Sequence, residues 1–476
     1  MRRWAPLLAA LGLLAALALS ALAALAPSAH AARSLTTGFY HPGWPYSDPA
    51  EVASIDARIH SLGGQVVRVH AVWAGVEPQR PVSGSNARDP ANPAYDWAAL
   101  DTAVLAAARE GLSPLIQFDQ APGWAEGPGR PAGATPGSWR PSVSAFADLG
   151  AAAARRYSGG YHDPRLGLLP RVRYWQPWSE ENLVNQLAPQ WERRGGRLVA
   201  ASPGIYLRLL NAFTLAVKRV SAGNFVVTGG TSPYGDPPGG ARMRPVFFWR
   251  TLLCLRAGSL RPTRCAPPAR FDALADHPYT AADPNRGAID RDDTAVADVH
   301  RLASLLRAAV RGHRVVPARH RRLWVTEFAY DSNPPDPAGA PVALQARWLE
   351  DAFYLLWRQG VDTVLWFRLT DEPPDPNYRL SAQSGVLFLD GQPKPAATAF
   401  RFPFVARRAG RGRLELWGKA PRPGPVAIQR QVGAGWQTVR TLTAGGNRVF
   451  DAVAALGGSP TLRAVSGADA SLAWTL

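Results

Sequence analysis

The sequence predicts a (β/α)8 TIM barrel followed by a small all-β, sandwich-like domain. Eight short β-patterned runs alternate with helix-patterned stretches, which points to a parallel sheet covered by helices. No GxGxxG follows any of these runs, so a closed barrel is favoured over a doubly wound nucleotide-binding sheet. Near residue 402 the helical periodicity stops, and short alternating runs between Gly and Pro turns take over.

In chain order the expected strands are 36–40, 65–71, 114–119, 171–175, 225–229, 273–276, 323–326 and 363–367. They are short strand-like runs, most of them with β-branched or aromatic residues. The expected helices between them include 50–62, 97–110, 143–157, 206–220, 294–310 and 342–359, several of them preceded by Pro or Asp as helix starts prefer. After residue 402 the segments RLELWG, VAIQRQV, WQTVRTL and SLAWTL read as strands of a sandwich. The division predicted is therefore an export segment over 1–32, a barrel over 33–402 and a β-domain over 403–476, the last without a readable ligand signature.

Arg2 and Arg3, the apolar run from Ala5 to Ala26 and Ala29-His30-Ala31 have the form of a secretory signal with a small-x-small cleavage site. Left uncut, that run is long enough to anchor the chain in a membrane, and no later segment is. Export would place Cys254 and Cys265, the two cysteines, in an oxidising compartment, where they are expected to pair. The net charge of +17 comes almost wholly from arginine, since Lys218, Lys394 and Lys419 are the only lysines. The arginines are spread along the chain, and no basic run or recognition motif marks a nucleic-acid partner.

The chemistry is expected where strands four and seven end. RVRYWQPWSEENL sets Glu180 and Glu181 just past the fourth strand, and RLWVTEF sets Glu327 at the end of the seventh. Two strands that hand glutamates to one barrel rim provide what glycoside hydrolysis needs. One carboxyl protonates the leaving oxygen, and the other attacks the sugar or activates water. No HxH or comparable ligand cluster appears, since His70, His277 and His320 stand apart in sequence, so no metal or other cofactor is expected.

These segments resemble the clan A retaining glycoside hydrolases, the (β/α)8 superfamily that includes cellulases, mannanases, β-xylosidases and α-L-iduronidases. The resemblance covers about residues 36–401 and rests on WSEEN, similar to the clan's W-N-E-P, and on WVTEF. It implies Glu180 as acid/base, Glu327 as nucleophile and a poly- or oligosaccharide as substrate. Ser179 stands where the clan has Asn, and Glu181 where it has Pro, which leaves Glu181 as the alternative acid. The resemblance further implies that Arg68 pairs with the nucleophile, that Tyr279 or His277 hydrogen-bonds it, and that Trp366 floors the sugar subsite. Trp73, Trp124 and Trp178 are weaker candidates for lining the cleft. Asp119, Asp331, Asp371 and Glu372, also near strand ends, either bind hydroxyls or cap loops. The competing expectation is a sugar-binding barrel that has lost catalysis, prompted by the departures at Ser179 and Glu181.

Overall fold

The computed structural model describes residues 31–476 apart from 266, 281 and 320. The expected export segment up to residue 30, and His320, lie outside the described residues.

Eight parallel strands form one sheet in sequence order: β1 Thr36–Tyr40, β2 Val66–Val72, β3 Ser113–Asp119, β4 Tyr174–Pro177, β5 Phe225–Val226, β6 Ala273–Asp276, β7 Arg322–Val325 and β8 Val361–Phe367. β8 pairs with β1, and the parallel bridges Val227–Ala273 and Thr231–Asp276 join β5 to β6, closing the ring. The helices α1 Pro49–Ser61, α2 Ala98–Arg109, α3 Val143–Arg156, α4 Ser202–Val220, α5 Pro245–Leu252, α6 His300–Arg311, α7 Val342–Arg358 and α8 Pro395–Arg401 form the outer layer. All eight expected strands are present within a few residues. β5 is shorter than expected because the chain leaves the ladder at Gly229–Gly230, where Gly230 has φ +84°. Helices α5 and α8 and the hairpin Trp191–Arg194/Arg197–Ala200 were not anticipated.

Strand alternation sorts the side chains. Val66, Leu115, Ala275, Trp324 and Leu365 fill the lower barrel interior, with Tyr174 and Phe225 packed against them. Two residues on along their strands come Arg68, Gln117, His277, Thr326 and Phe367, and, above Tyr174, Gln176. The interior is thus apolar at its base and polar at the C-terminal rim, where such barrels carry their chemistry.

The β-domain begins with β9 Phe404–Arg408 and continues with β10 Arg413–Lys419, β11 Gly424–Val432, β12 Gly435–Ala444, β13 Val449–Ala455, β14 Thr461–Ser466, β15 Asp469–Ala470 and β16 Trp474–Thr475. One antiparallel sheet runs β9-β10-β13. The other runs β12-β11-β14-β15, with β16 also on β14. Trp417 packs on Tyr354 and Trp357 of α7, and the buried Lys419 Nζ donates to Thr37 Oγ1 at 2.7 Å. Thr37 lies near the start of β1, so this contact is at the end of the barrel away from the rim. Cys254 and Cys265 form a disulfide with a Cα–Cα distance of 6.1 Å. Among the described residues no helix is long and apolar enough to cross a membrane.

Candidate active site

The segment after β4 positions its carboxylates by an unusual backbone. Trp178 and Glu180 have φ of 77° and 45°, a left-handed conformation that L-residues hold only when the surroundings impose it. Here Trp178 N donates to Phe118 O at 2.7 Å and Glu180 N to Gly230 O at 2.9 Å. This turn sends the two neighbouring glutamates in different directions. Glu180 keeps 21% of its side chain exposed, whereas Glu181 is fully buried and neither of its carboxyl oxygens meets a hydrogen-bond partner. Glu181 packs against Gly229, where a Cβ would strike its Oε2. Burial pushes the Glu181 carboxyl up to about 8, with Glu180 and Asp276 adding to the rise, so it is held mainly neutral at pH 7.

Glu327, just past β7, is held by two donors. Arg68 Nη1 reaches its Oε2 at 2.7 Å, and Tyr279 OH donates to its Oε1 at 2.9 Å. The Arg68 side chain is wholly buried. Its Nη2 donates to Ser179 Oγ at 2.8 Å, and its guanidinium lies 4.2 Å from the centre of the Tyr40 ring. Burial raises the Tyr279 hydroxyl well above its usual range, so it remains a proton donor. Ser179, which stands at the clan's asparagine position, is therefore engaged by Arg68.

His277 links the two carboxylates. Its Nδ1 lies 3.2 Å from Glu180 Oε1 and 3.8 Å from Glu327 Oε2. The separation of those oxygens cannot exceed the sum of the two contacts, a bound that admits both the about 5–5.5 Å of retaining enzymes and the lower end of the about 6.5–9.5 Å of inverting ones. Burial lowers His277 to about 3, so the ring is neutral. Its Nε2 lies 3.0 Å from Thr326 Oγ1, which also accepts from Gln176 Nε2 at 3.1 Å. With its proton on Nδ1 the ring donates to Glu180, and with the proton on Nε2 it donates to Thr326 and can accept from a protonated Glu180. A Cβ on Gly230 would strike His277 Nε2, so the Gly229–Gly230 pair makes room for both Glu181 and His277.

Burial pushes Glu180 up to about 7, against the lowering influence of Arg68. A general acid with that value is half protonated near neutrality. Were Glu180 the general acid of a glycosidase, kcat/KM for a glycoside with a poor leaving group would fall about tenfold per pH unit above pH 7. A pH–rate profile that stays flat to pH 9 on such a substrate would exclude Glu180 as the acid.

Three expected cleft residues are displaced from the rim. Trp366 is fully buried in the outer layer, where it packs on Phe328 and donates its Nε1–H to Ser384 O at 2.8 Å. Strand alternation turns Trp366 outward and Phe367 inward. The half-buried Phe367 packs against Tyr40 and Tyr279. Trp73 and Trp178 are also fully buried, bonded to Glu77 and to Gln186 O. They face the outer core because the single helical turn Trp73–Val76 and the strained Trp178 backbone carry them out of the strand alternation. Trp124 keeps some exposed surface, under the Arg80 guanidinium.

The reading of the sequence missed His70, whose Nε2 lies 2.7 Å from Asp119 Oδ1, while Gln117 holds the other Asp119 oxygen. His70 follows Arg68 by two residues and so shares its inward face. Asp371 bonds Lys394, Asp331 accepts from Gln383 N, and Glu372 pairs with Arg368, so these three tie rim loops together. Among the described residues no three His, Cys, Asp or Glu side chains converge as a metal-binding set.

No protein-family model matches this chain, and no curated protein matches it. Solved structures resemble it in fold. A family 39 glycoside hydrolase from the gut symbiont Bacteroides cellulosilyticus WH2 aligns at 18% identity over 89% of this chain and 81% of its own, with a TM-score of 0.53. A glucosidase from Croceicoccus marinus aligns at 15% identity over 91% and 95%, with a TM-score of 0.52. At these identities the likeness is one of fold.

Proposed function

We propose that this protein is an exported retaining glycoside hydrolase. In this reading Glu327 attacks the anomeric carbon as Glu180 protonates the leaving oxygen, giving a glycosyl ester on Glu327. Glu180, now a carboxylate, then removes a proton from the water that releases the sugar with its configuration retained. The observation that carries the reading is the convergence of Glu180 and Glu327 on His277 Nδ1, with Glu327 gripped by Arg68 and Tyr279. The two carboxyls have different surroundings. Glu327 lies against a guanidinium and a phenol hydroxyl, and Glu180 is raised by burial, as an acid requires. Phe367 and Tyr40 supply apolar surface for the sugar face, and the His70–Asp119 pair supplies polar atoms for hydroxyls. The fold neighbours being glycoside hydrolases agrees with this reading, and the disulfide agrees with export.

The reading is tested by incubating the purified protein, without residues 1–32, with a panel of aryl glycosides and polysaccharides. Release of the aryl group from at least one glycoside, abolished by Glu327→Gln, is expected. Binding of a sugar without any hydrolysis across the panel would favour the competing sugar-binding barrel.

A further inference from the structure

Outside the barrel wall, under the loop joining β1 to α1, lies a cavity of about 110 Å³. Val52, Ile55 and Asp56 of α1, Val67, Arg68 and Val69 of β2 and Ala103 of α2 line it. Val67 and Val69 flank the inward-facing Arg68, so the cavity lies on the opposite face of the sheet from the catalytic carboxylates. Its mouth carries His41, Tyr46, Asp48 and Glu51.

Asp56 is the feature of this cavity that packing does not explain. It is 3% exposed on the barrel-facing side of α1, its carboxyl oxygens reach the accessible space of the cavity, and among the described residues it has no hydrogen-bond or ion-pair partner. This occurs in a chain with 53 lysines and arginines. Buried carboxyls are normally paired, because isolating one from water costs several kcal/mol unless it protonates or finds a cation. Of the residues that line the cavity, one, Arg68, is a cation. His41 is kept neutral by burial, its Nδ1 accepting from Leu369 N, and Tyr46 OH accepts from His70 N. Asp48 caps α1, while Glu51 on α1 and Glu110 just past α2 add negative charge. Arg68 spends its guanidinium on Glu327 and Ser179.

We propose that this cavity is a binding site for a small primary ammonium compound, its charged head on Asp56 and its short apolar body against Val52, Ile55, Val67, Val69 and Ala103. The volume suits this, being the share of about three or four waters, room for a head and a few methylenes. The site is independent of the glycosidase reading, since none of its contacts involves Glu180 or Glu327.

The test uses the purified chain at constant ionic strength, titrated calorimetrically with n-butylammonium and with 1-butanol, its uncharged counterpart. Saturable binding of one butylammonium is expected, at least tenfold tighter than butanol and tighter at pH 8 than at pH 6, because burial holds Asp56 near 7. Asp56→Asn should lose at least tenfold in affinity, whereas Glu327→Gln should bind as the parent does and so exclude the cleft. Absence of binding, equal binding of butanol, or loss of binding in Glu327→Gln would each overturn the proposal. If Asp56→Asn does not fold, the comparison of amine with alcohol and the pH trend in the parent protein still decide it.

Discussion

Glu327→Gln is expected to abolish hydrolysis of every glycoside, by roughly 10⁵-fold or more, because it removes the attacking group itself. Glutamine keeps the volume and still accepts from Tyr279, so the fold should hold. Alanine would instead leave the buried Arg68 guanidinium with only Ser179, Thr326 O and the Tyr40 ring for company. Glu180→Ala should behave differently in kind. On a substrate with a good leaving group, such as a dinitrophenyl glycoside, the phenolate departs without a proton. The glycosyl ester on Glu327 then forms and accumulates for want of a base. Azide needs no base. It attacks the anomeric carbon, displaces the carboxylate and yields a glycosyl azide of retained configuration, restoring turnover. Rescue of Glu181→Ala but not of Glu180→Ala would place the acid one residue along, contrary to the burial of Glu181.

Arg68→Met carries the second largest effect. The substitution removes the 2.7 Å charge-assisted bond to Glu327 and the 2.8 Å bond to Ser179 while keeping an apolar stem over Tyr40. The expected loss is roughly 10²–10³-fold in kcat, similar to deleting one preorganised donor elsewhere. Arg68→Lys should recover only part of it, since a single ammonium cannot span Glu327 and Ser179 as the planar fork does. Equal kcat for the methionine variant and the parent, measured on folded protein, would remove Arg68 from the mechanism.

Much of this site was legible in the sequence. The strand ends placed Glu180 and Glu327 on one rim, the clan resemblance pointed to Arg68, His277 and Tyr279, and strand alternation in the structure turns Arg68 and His277 inward beside them. The same alternation explains the misplacement of Trp366. The clan resemblance points to Trp366, but the parity of β8 turns it toward the helices and leaves Phe367 inward. Trp178 and Glu181 were less legible for a different reason. Their directions follow from positive φ at Trp178 and Glu180 and from the space left by Gly229 and Gly230, contacts made across strands far apart in sequence. The Asp56 cavity could not be read from the sequence, because an aspartate about two turns into a helix usually faces water.

The central claim is that Glu327 becomes covalently attached to the sugar. A 2-deoxy-2-fluoro glycosyl fluoride of whichever sugar the panel identifies should trap that ester, because the fluorine slows its hydrolysis more than activated fluoride loss slows its formation. Peptide mapping by mass spectrometry should then find one sugar on the peptide containing Glu327, and none after Glu327→Gln. A label on another residue, or no label together with an inverted hydrolysis product, would contradict the account.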